Sequence, residues 1–470
     1  MSTQMPIARF TARVLTGSML VAGLAACNQD TLLKAPTPDV VRPQDISGAS
    51  ALPTAYASAI GDFQLGYAGG YGNNLDNNEG IVQISGLLSD ELINTETFNT
   101  RIEVDRRATN TINATTLQTF QDLQRSRASA DLIASRFHQF LPADARGAEV
   151  QALAAYAYVL LAENYCNGVP ISRLNEDGTF TYGAPLTGAT LLTTAIAKFD
   201  SSITVATAAG ATGATALNLA RIGRGRALLD LNRVTEAAAA IAEVPSSFNY
   251  SFAHSANTGR ENNATYAFNY LEQRFGVGNR EGTNGVPFVE LDDPRVAPFD
   301  FGTGFDNATE EYLSGKYYAR NAPTQLTIGS EARLIEAEAA FRAGNIATML
   351  TKLNDARANA STYSDQFTGP IPNTLAPLTL ADLGTTTGSQ RQVLFQERAL
   401  TLYLTSHRVG DLRRLISQYK LNAESVFPTG IYVKSGGVYG TAVNLPIPNE
   451  EGNNPSFLPA ACINRSADFQ

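Results

Sequence analysis

The sequence predicts a mainly α-helical protein, in which a scaffold of helical repeats carries a loop-rich, partly β region. Two observations support this fold class. The segments 216–244 and 330–360 each read as helix, turn, helix, and Ala220-Arg221 of the first aligns with Ala332-Arg333 of the second. Between them, about 246–329, aromatic residues are scattered among many glycines and asparagines, a composition typical of ordered loops.

The N-terminus predicts export. Arg9 and Arg13 precede a short apolar run at 14–22, which small residues follow. This order is that of a secretory signal, and the run is too short and too interrupted to span a bilayer. We therefore assign 1–26 to a signal peptide.

The four residues "LAAC", which end at Cys27, fit the bacterial lipobox. Cleavage before Cys27 would leave it acylated, and acyl chains hold a protein to a membrane without a spanning helix. The alternative is an ordinary secretory signal with a chance cysteine. Asn28, in place of aspartate, favours the outer membrane. Residues 27–45 contain several prolines and predict a tether, and 46–470 predict one folded domain.

The net charge and the cysteine content limit the classes of function that the chain can have. The formal net charge is −9, which argues against a nucleic-acid groove lined by lysine and arginine. After Cys27 only Cys166 and Cys462 remain, and in an exported protein they predict a disulfide. The alternative is two buried thiols.

The first helices follow in order. A helix is predicted at about 49–64, then a loop at 66–80. Apolar residues at helical spacing predict helices over 122–141 and from 149 onward, the second ending at Asn167-Gly168. These begin the repeat region, about 117–245.

The repeats are of the tetratricopeptide type. A helix at 191–209 precedes the pair at 216–244, whose turn is at Asn232, and the pair at 330–360 turns at Gly344-Asn345. Small residues on facing helices allow close packing, so such pairs stack. The insertion of about 246–329 separates the copies, and a last helix at 389–408 closes the second repeat region, about 330–415.

Several segments resemble the SusD/RagB-like outer-membrane lipoproteins. "VLFQERALTLYLTSHRVGDLRRL" resembles their late helix, through Glu397-Arg398, Arg408, Asp411-Leu412 and Arg414. Ser406 stands where their pattern usually has glycine. "NGVPIS", "DDPR" and "LPIPNEEGNNPSF" resemble further family segments. The matches run in the family's order from Cys27 to Pro455.

The resemblance implies a lipid-anchored lid that faces the cell exterior on a TonB-dependent, SusC-like barrel. The lid captures oligosaccharides, or in some members peptides, and the barrel imports them. Capture is binding without chemistry, so we expect no enzyme activity and no cofactor. The alternative from another class is a periplasmic repeat scaffold for envelope assembly.

The resemblance also indicates a ligand face. In the family, an aromatic stacking residue often follows an Asp-Glu pair, and here Phe98 follows Asp90-Glu91, with Asn99 and Arg101 beside it. Neighbouring loops and the insertion supply the other candidates, Tyr67, Tyr71, Asn73, Asn74, Tyr312, Tyr317 and Tyr318. The alternative is that these aromatics anchor loops to the helical body.

Other chemistry has little support. His138, His254 and His407 have no metal-ligand spacing, and acidic pairs such as Asp292-Asp293 show no facing carboxylates of the kind a glycosidase needs. The charged residues of the late helix predict a buried ion-pair network with a structural role, formed by Glu397, Arg398, Arg408, Asp411 and Arg414.

Overall fold

The computed structural model describes residues 43–71, 78–175, 179–365, 369–434 and 436–457, without the side chains of Pro43, Leu174 and Arg260. The α-helices are α1 Leu52–Ala68, α2 Ile81–Leu88, α3 Asn99–Asp105, α4 Ala114–Phe140, α5 Ala145–Asn164, α6 Gly188–Ala208, α7 Ala214–Asp230, α8 Val234–Ile241, α9 Ala264–Tyr266, α10 Phe288–Leu291, α11 Gly329–Arg342, α12 Ile346–Ala358, α13 Leu380–Leu383, α14 Thr387–Thr401 and α15 Arg408–Ser417.

The strands are short. They are β1 Leu92–Asn94, β2 Val169–Pro170, β3 Arg173–Leu174, β4 Phe180–Thr181, β5 Pro185–Leu186, β6 Asn249–Phe252, β7 Phe275–Val277, β8 Pro298–Thr303, β9 Glu310–Ser314, β10 Thr324–Ile328, β11 Thr362–Tyr363 and β12 Pro370–Ile371. The predicted fold class, mainly α with a loop-rich, partly β region, is confirmed.

The long helices pack on one another in chain order. α4 packs on α5, α5 on α6, and α6 on α7, and the chain leaves the stack after α8. It returns at α11, which packs directly on α8. A Cβ atom at Gly223 of α7 would lie 2.2 Å from the Phe199 ring of α6, so the close approach of these helices requires glycine there.

The two predicted helix–turn–helix units are confirmed. Asn232, between α7 and α8, and Gly344, between α11 and α12, have left-handed backbone, with φ of 60° and 74°. Asparagine and glycine adopt this conformation at the least steric cost. The turn chemistry visible in the sequence therefore places both turns.

Two predicted helix ends are wrong. α5 ends at Asn164, before the predicted Asn167-Gly168, because Tyr165 is extended and forms a parallel bridge with Leu445. The predicted helix 389–408 stops at Thr401, and a new helix, α15, begins at Arg408.

Ser406 lies in the turn between α14 and α15, with a φ of 57°. Glycine adopts positive φ without the steric penalty that a Cβ atom brings. The backbone conformation thus explains why glycine suits this position in the resembling family. Serine here must be held by its surroundings, and it is fully buried.

Antiparallel strand pairs organise the insertion. β6 pairs with β10, which joins the two ends of the insertion at its base. β8 pairs with β9 inside the insertion. β1, from the segment before α3, pairs with β7, which brings that segment against the insertion.

The predicted ion-pair network is buried, as expected. Arg398 donates to both carboxylate oxygens of Asp411 at 2.7 and 2.8 Å, and Arg414 donates to Asp411 at 2.6 Å. Arg414 also donates to Glu338 of α11 at 2.5 Å. Burial raises the pKa of Asp411, but the two arginines outweigh it and hold this pKa well below the usual range.

Two further buried pairs extend from the same helices to the loops. Arg408 donates to both oxygens of Asp90, at 2.6 and 2.7 Å. Arg295, in the insertion, donates to Glu397 at 2.6 Å. The scaffold and the loop region are therefore joined by paired charges inside the protein.

Cys166 is buried and disulfide-bonded. Its predicted partner, Cys462, and the predicted lipidation residue, Cys27, lie outside the described residues. The pairing and the anchor therefore remain predictions. Among the residues that the structure describes, no helix has the length and apolar character needed to cross a membrane.

Replacing Arg414 with methionine is expected to destabilise the protein strongly. The change leaves Glu338 without its closest cation, and removing one partner of a buried pair costs roughly 3–5 kcal/mol of unfolding free energy. Urea unfolding followed by circular dichroism would measure this loss.

Arg233→Met is the matched control, because Arg233 pairs with Glu236 on the exposed surface beside α8. Its unfolding midpoint should stay unchanged. Equal losses in the two variants would contradict a special role for the buried network.

Candidate functional site

The pairing of β1 with β7 builds the candidate site. Asn94 lies opposite Phe275 in this ladder, and the Thr95 amide continues it by donating to the Arg274 carbonyl at 2.9 Å. The turn after β8 joins from the other side, where the Phe305 amide donates to the Gln273 carbonyl at 2.8 Å. Three distant segments thus meet at one surface.

Two exposed aromatic rings flank one guanidinium at this surface. The Cζ atom of Arg274 lies 5.1 Å from the centroid of Phe98 and 4.6 Å from that of Phe305. The two phenylalanines are 53% and 46% exposed, although most of the large apolar side chains are buried. We call Phe98, Arg274 and Phe305 the aromatic platform. Cation–π attraction, about 0.5–1 kcal/mol at exposed sites, helps to hold its rings.

Carboxylates fix the arginines of the platform. Buried Glu96 accepts from Arg101 at 2.9 Å and from Arg274 at 2.5 Å. Arg101 also pairs with Glu79, and Arg274 with Glu272. The Arg101 guanidinium lies 5.2 Å from the Phe98 centroid, so this ring contacts two cations. The platform is therefore braced before any ligand arrives.

A cleft of about 670 Å³ adjoins the platform. Its apolar lining comes from α3, β1, β7, β9 and the segment after residue 430, through Ile93, Ile102, Val277, Tyr312, Ile431 and Val433. Lys434 stands between cleft and platform, with its Nζ atom 2.7 Å from Asp306 and 3.1 Å from the Asn94 Oδ1 atom. Burial raises the pKa of Asp306, but hydrogen bonds from Lys434 and Thr309 outweigh it and lower this pKa to about 2.

Two tyrosines fasten one wall of the cleft. The Tyr432 hydroxyl donates to Asp105 at 2.6 Å, and the Tyr439 hydroxyl donates to Glu281 at 2.5 Å. Burial raises the pKa of both carboxyls, and the negative charge of Asp105 raises that of Glu281 further. The wall is thus hydrogen-bonded to two buried carboxyl groups, and ionisation of one disfavours ionisation of the other.

Comparison with known proteins identifies the architecture. No family model matches the sequence, and no curated protein matches it. Solved structures do. A SusD/RagB family protein from Bacteroides thetaiotaomicron superposes with a TM-score of 0.62 at 16% identity, over 90% of this chain and 96% of that one. The chain has the SusD-like fold.

Two further solved structures agree. A SusD-like carbohydrate binding protein from Bacteroides vulgatus has a TM-score of 0.61 at 11% identity, over 87% of this chain and 97% of its own. Surface glycan-binding protein A from Bacteroides uniformis has a TM-score of 0.56 at 13% identity, over 88% and 99%. The resemblance stated from the sequence is thus confirmed at the level of the fold.

The SusD-like fold brings several predicted ligand residues together. Phe98 and Arg101 belong to the platform region, and exposed Asn99 begins α3 beside them. Tyr71 hydrogen-bonds Glu272, the partner of Arg274. The other predicted aromatics divide between cleft and core.

Tyr312 lines the cleft. Tyr67 and Tyr317 lie in the hydrophobic core instead, where their hydroxyls donate to the carbonyls of Thr405 at 3.0 Å and Leu404 at 2.8 Å. Both rings anchor loops to the helical body, which is the alternative to ligand binding stated in the sequence analysis. Tyr318 is half-buried and packs at Gly369, away from the lining of the cleft. The remaining two candidates, Asn73 and Asn74, lie outside the described residues.

Sequence reasoning missed Phe305, Arg274 and Glu272. Phe305 was among the aromatics of the insertion but carried no signal that set it apart. Its place in a turn between glycine and aspartate was the available hint. Arg274 and Glu272 become significant only through the residues that β1 brings beside them.

Raising the pH is expected to weaken the cleft wall. Asp105 and Glu281 have raised pKa values in the folded protein, so from about pH 4 upward the folded state holds more protons than the unfolded one. Stability contributed by these groups therefore falls as pH rises, until both raised pKa values are passed. Thermal unfolding midpoints at about pH 5 and pH 9 would measure this loss.

Glu281→Gln should lose less stability over that range, because glutamine does not titrate. Glu310→Gln is the matched control, since it removes an exposed carboxylate at the same cleft. An unchanged pH dependence in Glu281→Gln would contradict the assignment.

Proposed function

We propose that this protein is a glycan-binding lipoprotein of the SusD/RagB family. It captures oligosaccharides at the aromatic platform and passes them to a TonB-dependent, SusC-like outer-membrane barrel. The observation that carries this proposal is the pair of exposed rings, Phe98 and Phe305, held over Arg274.

The platform has the chemistry that sugars require. Sugar rings present apolar C–H faces, which stack on aromatic rings, and hydroxyls, which need hydrogen-bonding groups at the edge. Exposed Asn99 follows Phe98 in the chain, and Tyr71 and Glu272 supply such groups beside Arg274. The sequence contains no tryptophan, so phenylalanine and tyrosine must provide the stacking surface.

Proteins of the same fold support this reading. They include a laminarin-binding SusD-like protein, with a TM-score of 0.58 at 15% identity over 87% of this chain and 98% of its own. The surface glycan-binding protein described above is another. The lipobox at Cys27 and the proline-bearing tether support an anchor in the outer membrane, with the platform on the exterior side.

A peptide ligand is the second candidate. The aliphatic lining of the cleft, through Ile102, Val277 and Val433, favours an apolar side chain over a sugar ring. The periplasmic scaffold reading has less support, because a scaffold for assembly has no need of exposed rings braced by buried ion pairs.

Phe98→Ala and Phe305→Ala are each expected to weaken glycan binding. Loss of a central aromatic contact costs about 2 kcal/mol, or roughly 30-fold in Kd. Calorimetric titration with the polysaccharide that binds best would measure it.

Phe180→Ala is the matched control, because Phe180 is also exposed, at 60%, but lies on β4, outside the platform. Its affinity should stay at the wild-type value. Glycan binding that survives both platform variants would refute this site.

The transport partner has its own test. A pull-down from detergent-solubilised outer membranes, with the full lipoprotein as bait, is expected to recover a large TonB-dependent barrel. Cys27→Ser, which removes the acylation site, should leave the protein unanchored. Recovery of assembly factors and no barrel would refute the import role and favour the periplasmic scaffold.

A further inference from the structure

We propose that the platform selects neutral oligosaccharides and discriminates against glycans that carry carboxylate or sulfate groups. This inference rests on the proposed glycan-binding function and narrows its substrate class. It follows from how the cations around the exposed rings are engaged.

The two arginines at the rings are already paired. Arg101 is held by Glu79 and Glu96, and Arg274 by Glu96 and Glu272. Glu96 is fully buried, and Arg101 is largely so. An anionic sugar would have to displace a carboxylate from one of these arginines, and the displaced carboxylate would be left buried or half-buried without its partner.

Lys434, between platform and cleft, is engaged in the same way. Its Nζ atom lies 2.7 Å from the Asp306 carboxylate, donates to Asn94 Oδ1 at 3.1 Å, and also donates to the Glu96 carbonyl. An ammonium group has three donors. All three of these are used within the protein.

Among the ion-paired groups of the platform and of Lys434, positive charges do not outnumber negative ones. Arg101, Arg274 and Lys434 face the carboxylates of Glu79, Glu96, Glu272 and Asp306. Burial raises the pKa of Glu79, and its protonation would only bring the two signs into balance. These paired groups therefore offer an anion no net attraction, whereas a neutral sugar meets two open rings and carboxylate oxygens that accept from hydroxyls.

Arg320 is a further described cation nearby. It is exposed, and its charge acts on Tyr71, at the edge of the platform. An acidic glycan that bound here would use Arg320. Arg320→Ala is therefore the variant that detects such binding.

The experiment compares one polymer in two charge states. The full chain is first screened against neutral polysaccharides, and the best binder is then oxidised at C6, which converts hydroxymethyl groups to carboxylates on the same backbone. We expect the oxidised polymer to bind about tenfold more weakly at low salt. The difference should shrink at about 1 M salt, where charges are screened beyond roughly 3 Å.

Glu272→Gln tests the cause. It keeps the shape of the side chain and releases Arg274 from one carboxylate, so the oxidised polymer should regain most of the lost affinity. Glu236→Gln is the matched control. Glu236 pairs with Arg233 beside α8, so this substitution removes the same charge outside the platform. It should leave the discrimination unchanged.

The outcomes separate the two proposals. Oxidised polymer that binds as tightly as the neutral one, and loses binding in Phe98→Ala or Arg320→Ala, overturns the selectivity and leaves the glycan-binding function standing. Absence of binding to any glycan, or binding indifferent to Phe98→Ala and Phe305→Ala, overturns the glycan-binding function and the selectivity with it.

Discussion

Arg408 of α15 donates two hydrogen bonds to Asp90 inside the protein, at 2.6 and 2.7 Å, and the candidate ligand face depends on this pair. A buried charge without a partner is costly, so the segment before β1 can dock only where the guanidinium is. Arg295 and Glu397 impose the same condition on the insertion. The late helices α14 and α15 thus hold the segment before β1 and the insertion against the repeat scaffold.

The residues that follow Asp90 connect this buried ion pair to the aromatic platform. Next to Asp90, the Glu91 carboxylate accepts from the Leu404 amide at 2.8 Å, in the turn after α14. β1 follows at once, pairs with β7, and places Glu96 where it can bind arginines from both segments. Because these contacts are made within the protein, the rings are ordered before a ligand binds, which lowers the entropy cost of capture.

The sequence predicted only part of the candidate site. Phe98 and Arg101 were predicted from a resemblance in one continuous segment, and the structure places the largely buried Arg101 guanidinium against the exposed Phe98 ring. Phe305 and Arg274 lie much further along the chain. The β1–β7 ladder brings Arg274 to the site, and backbone hydrogen bonds from the turn after β8 bring Phe305. Tyr67 and Tyr317 were predicted at the ligand face but lie in the core. The sequence does not separate the two cases, because the apolar ring and polar hydroxyl of tyrosine suit both a ligand and a buried carbonyl.

The sequence by itself determined the helix–turn–helix units, the loop-rich insertion and the buried charges of the late helices. Local interactions carry that information: helical periodicity, the left-handed turn at Asn232 and Gly344, and the need of a buried arginine for a carboxylate. Tertiary structure alone decided the end of α5 at Asn164, the strained turn at Ser406, and the meeting of Phe98 with Phe305. Each of these depends on a partner distant in the chain, and a pattern of nearby residues does not record which partner that is.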